Sequence, residues 1–81
     1  MDNVQEYSIL KNNLRHLRII PRITQWDLAL RSGVKQSRIS LIENFLVKPT
    51  MREKIKLAEA LSQPIETIFP NNTENNGTKK D

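Results

Sequence analysis

Gln36, Ser37, Arg38, Ser40 and Asn44 place five hydrogen-bonding side chains within nine residues, around Leu41. Amides, hydroxyls and a guanidinium are the groups that pair with base edges and hold phosphate oxygens. Glutamine pairs bidentately with adenine, and a leucine can meet thymine methyls. At about 100° per residue, with the midpoint of Ile39 and Ile42 taken as inward, Ser37 and Asn44 point nearly opposite the core. Ser40 and Leu41 lie close behind, and Gln36 and Arg38 occupy the flanks. The competing reading is the ordinary solvated face of a surface helix. The residues just before this helix weigh against it.

Those residues spell a tightly turned pair of helices. Thr24 suits a helix N-cap and Asp27 is a shorter version of the capping-box acid, while Ile23 and Leu28 have the spacing of a hydrophobic staple. Ala29 lets a second helix cross close by. Gly33 adopts positive φ at low cost and ends the first helix after about two turns. Lys35 is the cap of the second helix, Val34 and Ile39 repeat the staple, and Ile39 with Ile42 forms the stripe that rests on a core.

The flanking segments complete a five-helix, all-α reading. Leu10, Leu14 and Leu17 recur at i, i+4, i+7 and predict a helix from about Ser8 to Ile19, ended by Pro21. After Pro49, Thr50 and Glu53 form a capping box, and Met51, Ile55, Ala58 and Leu61 are expected to line the inner face of helix four until about Ser62. Pro64 opens a short fifth helix carrying Ile65, Ile68 and Phe69. Residues 1–7 read as a flexible arm, 8–69 as the domain, and 70–81, without an apolar residue after Pro70, as a disordered polar tail.

Charge agrees with a polyanionic partner. The 81 residues carry a net charge of +4, and from Leu10 to Lys56 there are eleven Lys and Arg against three acids. Both flanking segments are net acidic, so positive charge concentrates on the helix pair. Basic residues also solubilise ordinary domains, so charge alone does not decide. The chain has no cysteine, which excludes disulfides and thiolate metal sites. A single histidine, His16, and two glycines leave no basis for an active site or a phosphate-cradling loop. The apolar runs are too short for a membrane span or a secretory signal. The expectation is a cytoplasmic, nucleoid-associated protein that is not an enzyme and uses no metal or cofactor.

The stretch from Thr24 to Phe45 resembles the helix-turn-helix of the Cro and C1 repressor family, the xenobiotic response element regulators. The resemblance rests on Gln25, Leu28, Ala29, Gly33, Val34, Ile39, Ile42, Glu43 and Asn44. Leu14, Leu17 and Arg18 are similar to the family's first helix, Pro49 to its proline before helix four, and Ala58, Ala60 and Leu61 to its fourth helix. The fold implied is a compact lambda-repressor-like domain. By resemblance, Gln25 holds a phosphate and buttresses Gln36, while Gln36, Ser37 and Leu41 read bases. Asn44 contacts a backbone phosphate, and Arg18 pairs with Glu43, tying helix one to helix three. Arg38 and Ser40 join the base readers, and Trp26, Lys35 and Lys48 the phosphate contacts. Exposed to solvent, the Arg18–Glu43 pair would contribute almost nothing to stability.

Departures from the family pattern fall at informative places. Arg22, Phe45 and Ser62 stand where the family usually has glycine, so a positive φ there would be strained. Phe45 is either a core plug or, with Leu46 and Val47, an exposed contact for a partner. Trp26 is either a partly packed surface aromatic, a sugar or phosphate contact through its indole N–H, or a lip against an adjacent subunit. Lys35 loses a capping acceptor but brings a charge within reach of a phosphate.

These observations imply a transcriptional repressor that binds double-stranded operator DNA with helix three in the major groove, with no effector domain. One module reads few base pairs, so a homodimer on an inverted repeat is expected, with half-sites about 34 Å apart. The family's usual dimer contact points to Ile65, Ile68 and Phe69, which would otherwise close the monomer's core. The alternative is a protein-interaction module, antitoxin-like or the partner of a larger regulator, supported by Leu41 and the loop from Phe45 to Val47.

Overall fold

In the computed structural model, residues 10–70 are described, and they form five helices and no strand: α1 (Leu14–Ile19), α2 (Gln25–Ser32), α3 (Gln36–Glu43), α4 (Met51–Leu61) and α5 (Ile65–Ile68). The expected arm 1–7 lies outside the described residues, as does the expected tail apart from Pro70. Among the described residues no helix is long and apolar enough to cross a membrane.

Helix starts follow local chemistry. Thr24 and Asp27 form a reciprocal capping box on α2, and Thr50 and Glu53 form another on α4. Helix α1 starts differently from the expectation, because Lys11 to Asn13 interrupt the helical path between Leu10 and Leu14. Asn12 causes the break: its Oδ1 accepts from Leu14 N at 3.0 Å, and its Nδ2 donates to Leu10 O and, at 2.9 Å, to Ile42 O in α3. An asparagine side chain competing with the helical ladder explains why periodicity alone overran this point.

Helix ends use one device three times. Ile23 N donates to Arg18 O and Arg22 N to Ile19 O; Leu46 N donates to Leu41 O and Phe45 N to Ile42 O; Gln63 N donates to Ala58 O and Ser62 N to Glu59 O. Each set is a Schellman closure, with the left-handed residue being Arg22 (φ 64°), Phe45 (φ 62°) or Ser62 (φ 55°). The glycine departures therefore do sit at positive φ. Helix α2 ends instead on Gly33 (φ 80°), whose N–H donates to Ala29 O at 2.8 Å.

The core gathers Leu14, Ile23, Leu28, Val34, Ile39, Ile42, Leu57, Ala58, Leu61, Ile68 and Phe69. Both staple pairs, Ile23 with Leu28 and Val34 with Ile39, are buried in it. Two expectations need correction. The inner face of α4 is Lys54, Leu57, Ala58 and Leu61, whereas Met51 and Ile55 are 49% and 42% exposed. A lysine occupies the inner stripe because its aliphatic stem packs while its ammonium lies 5.8 Å from the Phe69 ring centre. Ile68 and Phe69 are 0% and 4% exposed and close the monomer's core, so neither offers a surface to a second subunit. Asn13 docks α5 in this position: its N–H donates to Ile68 O and its side-chain amide to Thr67 O. Ile65 is half-buried against the core.

Candidate nucleic-acid interface

Helix α3 is anchored from below and bare above. Ile39, Ile42 and Glu43 are buried, whereas Gln36, Ser37, Leu41 and Asn44 are exposed and Ser40 is half-buried. The outward row is therefore the one given by helical phasing. Lys35 precedes α3 without a side-chain capping bond, so the first N–H groups of the helix are left to solvent or a ligand.

The anchor is a charged cluster around Glu43, whose side chain is fully buried. Arg18, 12% exposed, donates from Nε to Glu43 Oε2 at 2.5 Å and from Nη2 to Oε1 at 3.0 Å, while its Nη1 reaches Ile23 O at 2.8 Å. Gln25 Nε2 adds a bond to Oε1 at 3.0 Å, and Arg15 Nε approaches it at 3.5 Å. Burial alone would push the Glu43 carboxyl up. The hydrogen bonds from Arg18 and Gln25, the charge of Arg18 and the Arg15 contact outweigh it, and the group lies below the ordinary carboxylate value. Three helices thus converge on one carboxylate, which fixes the angle of α3 against α1 and α2.

The structure places several sequence-selected residues in bonds of their own. Gln25 gives its amide nitrogen to Glu43, and among the described residues no hydrogen bond joins it to Gln36, so the expected buttress is absent. Arg38 lies toward α4, donating Nε to Glu53 Oε2 at 2.7 Å and Nη2 to Oε1 at 2.8 Å. That bond, ahead of the charge of Arg38, holds Glu53 below its ordinary carboxylate value and raises Arg38. A guanidinium committed to a fork-to-fork pair is not available as a base reader without breaking it. Asn44 accepts from Arg15 Nη2 at 3.2 Å and donates to Ser40 O at 2.8 Å, which leaves one amide hydrogen. Trp26 is 61% exposed, so it is a surface aromatic; with Leu30, Val34, Lys35 and Gln36 it lines a shallow groove of about 180 Å³ beside the start of α3. Val47 packs against the core, Phe45 is half-buried outside it and Leu46 is exposed, which splits the apolar loop between core and solvent. Lys48 is exposed on the loop leading to α4.

Sequence reasoning did not select Asn12, Arg15, Arg52 or Lys56. Arg15 had a visible signal, one helical turn before Arg18 on the same face. The contact of Asn12 with Ile42 O spans thirty residues and had none.

Two eight-residue helices joined through a left-handed glycine, the second buried on one side and polar on the other, define a helix-turn-helix domain. The uncharacterized HTH-type transcriptional regulator MJ0272 of Methanocaldococcus jannaschii is 35% identical over 60 residues, covering 74% of this chain and 91% of that protein. No family model matches the chain, and no solved structure matches it significantly. The chain belongs to the family of helix-turn-helix-type transcriptional regulators.

Proposed function

We propose that this chain is a Cro/C1-type repressor that binds double-stranded DNA sequence-specifically, with α3 in the major groove. The observation that carries this reading is the bare row Gln36, Ser37 and Leu41 on a helix locked from beneath by Ile39, Ile42 and the Glu43 cluster. A reading helix must hold its side chains in register while leaving their polar ends unspent; Gln36 and Ser37 meet both demands, and Leu41 offers an exposed apolar contact beside them. Ser40 contributes from the flank. Gln25, Trp26, Lys35, Asn44 and Lys48 ring the helix as phosphate or sugar contacts, the indole N–H of Trp26 included. Arg38 acts at one remove, bracing α3 against α4 through Glu53. The functional unit is a homodimer on an inverted repeat with half-sites about 34 Å apart.

A second reading, a module whose main partner is another protein, is favoured by the exposed Trp26, Leu30 and Leu46, with Leu30 at 70%. Replacing Gln36 and Ser37 with Ala separates the two. The DNA reader loses about 1 to 3 kcal/mol of base discrimination per good contact, while a protein-partner module keeps both its fold and its partner. An unchanged sequence preference in the double variant would overturn the assignment of these readers.

A further inference from the structure

Beside the recognition helix, on the flank occupied by Arg38, an open pocket of about 350 Å³ lies between the α2–α3 turn and α4. It is lined by Lys35, Arg38, Arg52 and Lys56, with Glu53 as its one acid and Gly33 and Val34 completing the wall. Glu53 is spent on Arg38 in a two-bond pair, so it neutralises that guanidinium and no other. Lys35, Arg52 and Lys56 have no ion pair among the described residues, and Lys35 and Arg52 are exposed. The Lys56 ammonium lies beside the turn, 4.0 Å from where a Cβ on Gly33 would stand. The first N–H groups of α3, not capped by any side chain, lie next to Lys35.

We infer that this pocket is a phosphodiester site: Arg52 and Lys56, together with Lys35, hold the DNA backbone alongside the groove that α3 occupies. The inference rests on the DNA-binding reading and extends it to two residues on α4. Three unspent cations gathered in a concave site, with a fourth held by an acid, match a run of adjacent phosphates better than a single carboxylate ligand. The ammonium and guanidinium groups stand on both sides of the pocket, from the turn and from α4, as they must to follow a strand. Arg38 and Glu53 serve as its rigid floor. Their pair keeps α4 at a fixed distance from α3, so that a phosphate held by Arg52 and Lys56 sets the depth of α3 in the groove.

The test uses the full chain and a mixed-sequence duplex of about 20 base pairs, so it needs no knowledge of an operator. Affinity is measured against salt concentration for the wild type and for Arg52→Gln/Lys56→Gln. Each phosphate neutralised by a protein cation releases counterions and steepens the log–log salt slope by about 0.9. The double variant is expected to lose about 1.8 of slope. Between roughly 50 and 200 mM salt the wild type would then weaken about twelvefold more than the variant. The charge-keeping Arg52→Lys/Lys56→Arg retains the wild-type slope, and thermal unfolding confirms that both variants fold. A Gln variant with the wild-type slope would overturn the inference while leaving sequence reading by α3 intact. A slope loss in the Gln variant, together with a wild type that binds duplexes of different sequence equally, would support the pocket and sink the sequence-specific reading. A wild type that binds no duplex would overturn both.

Discussion

Replacing Arg18 with methionine removes two hydrogen bonds to a fully buried carboxylate and one to Ile23 O. Breaking one side of a buried pair costs about 3 to 5 kcal/mol, because the partner charge stays behind without compensation. Arg15 and Gln25 still face Glu43 Oε1, which places Arg18→Met at the lower end, about 3 kcal/mol. A domain of about 60 residues has only about 3 to 9 kcal/mol in total, so the variant should stand near its unfolding threshold. Its melting temperature should fall by roughly 12 to 24 °C. Urea unfolding at pH 7, with an unchanged m-value, measures the loss. The double variant Arg18→Met/Glu43→Leu should recover about half of it, since no charge is then stranded. Acidity supplies a second readout. Glu43 lies below its ordinary value of 4.5 in the folded state, so its stabilisation is present above that value and is lost as pH falls through the folded one. Without Arg18, only Gln25 and Arg15 oppose burial, the carboxyl moves up toward or past its ordinary value, and the loss of stability on acidification that the wild type shows shrinks or disappears. A loss below about 0.5 kcal/mol, typical of an exposed pair, would refute the reasoning.

Ile68→Ala should cost about 2 to 5 kcal/mol, since Ile68 is fully buried, and sedimentation should show its folded fraction in the wild-type oligomeric state. Arg22→Gly relieves a positive φ on an exposed residue and should raise stability by about 0.5 kcal/mol in urea unfolding. Glu53→Gln releases Arg38 and weakens the α4 capping box, for a loss of about 1 to 2 kcal/mol. That variant should also lose stability less steeply on acidification, because Glu53 is held below its ordinary value in the wild type. Trp26, the one tryptophan and largely exposed, should change its fluorescence when duplex is added, and constancy at saturation would remove it from the DNA edge.

What was legible in the sequence was local. Thr24 with Asp27 and Thr50 with Glu53 announce helix starts because each motif closes within four residues, and Gly33 announces a left-handed end. The strained positions Arg22, Phe45 and Ser62 were legible by contrast with a family that uses glycine there. Long-range choices were not. Asn12 breaks the first helix in favour of a carbonyl in α3, and Arg38 turns from the reading face to Glu53 on α4. The face of α4 was misjudged because Met51 and Ile55 look more apolar than Lys54. Lys54 is buried with its ammonium beside the Phe69 ring, and no periodicity rule anticipates that.

Sequence reading by α3 is measured by selecting bound duplexes from a random pool at near-physiological salt and sequencing them. Enrichment of an inverted repeat with half-sites about one helical turn apart is expected. A folded protein that leaves the pool unenriched would contradict it and turn attention to the exposed Trp26 and Leu30 as a protein contact.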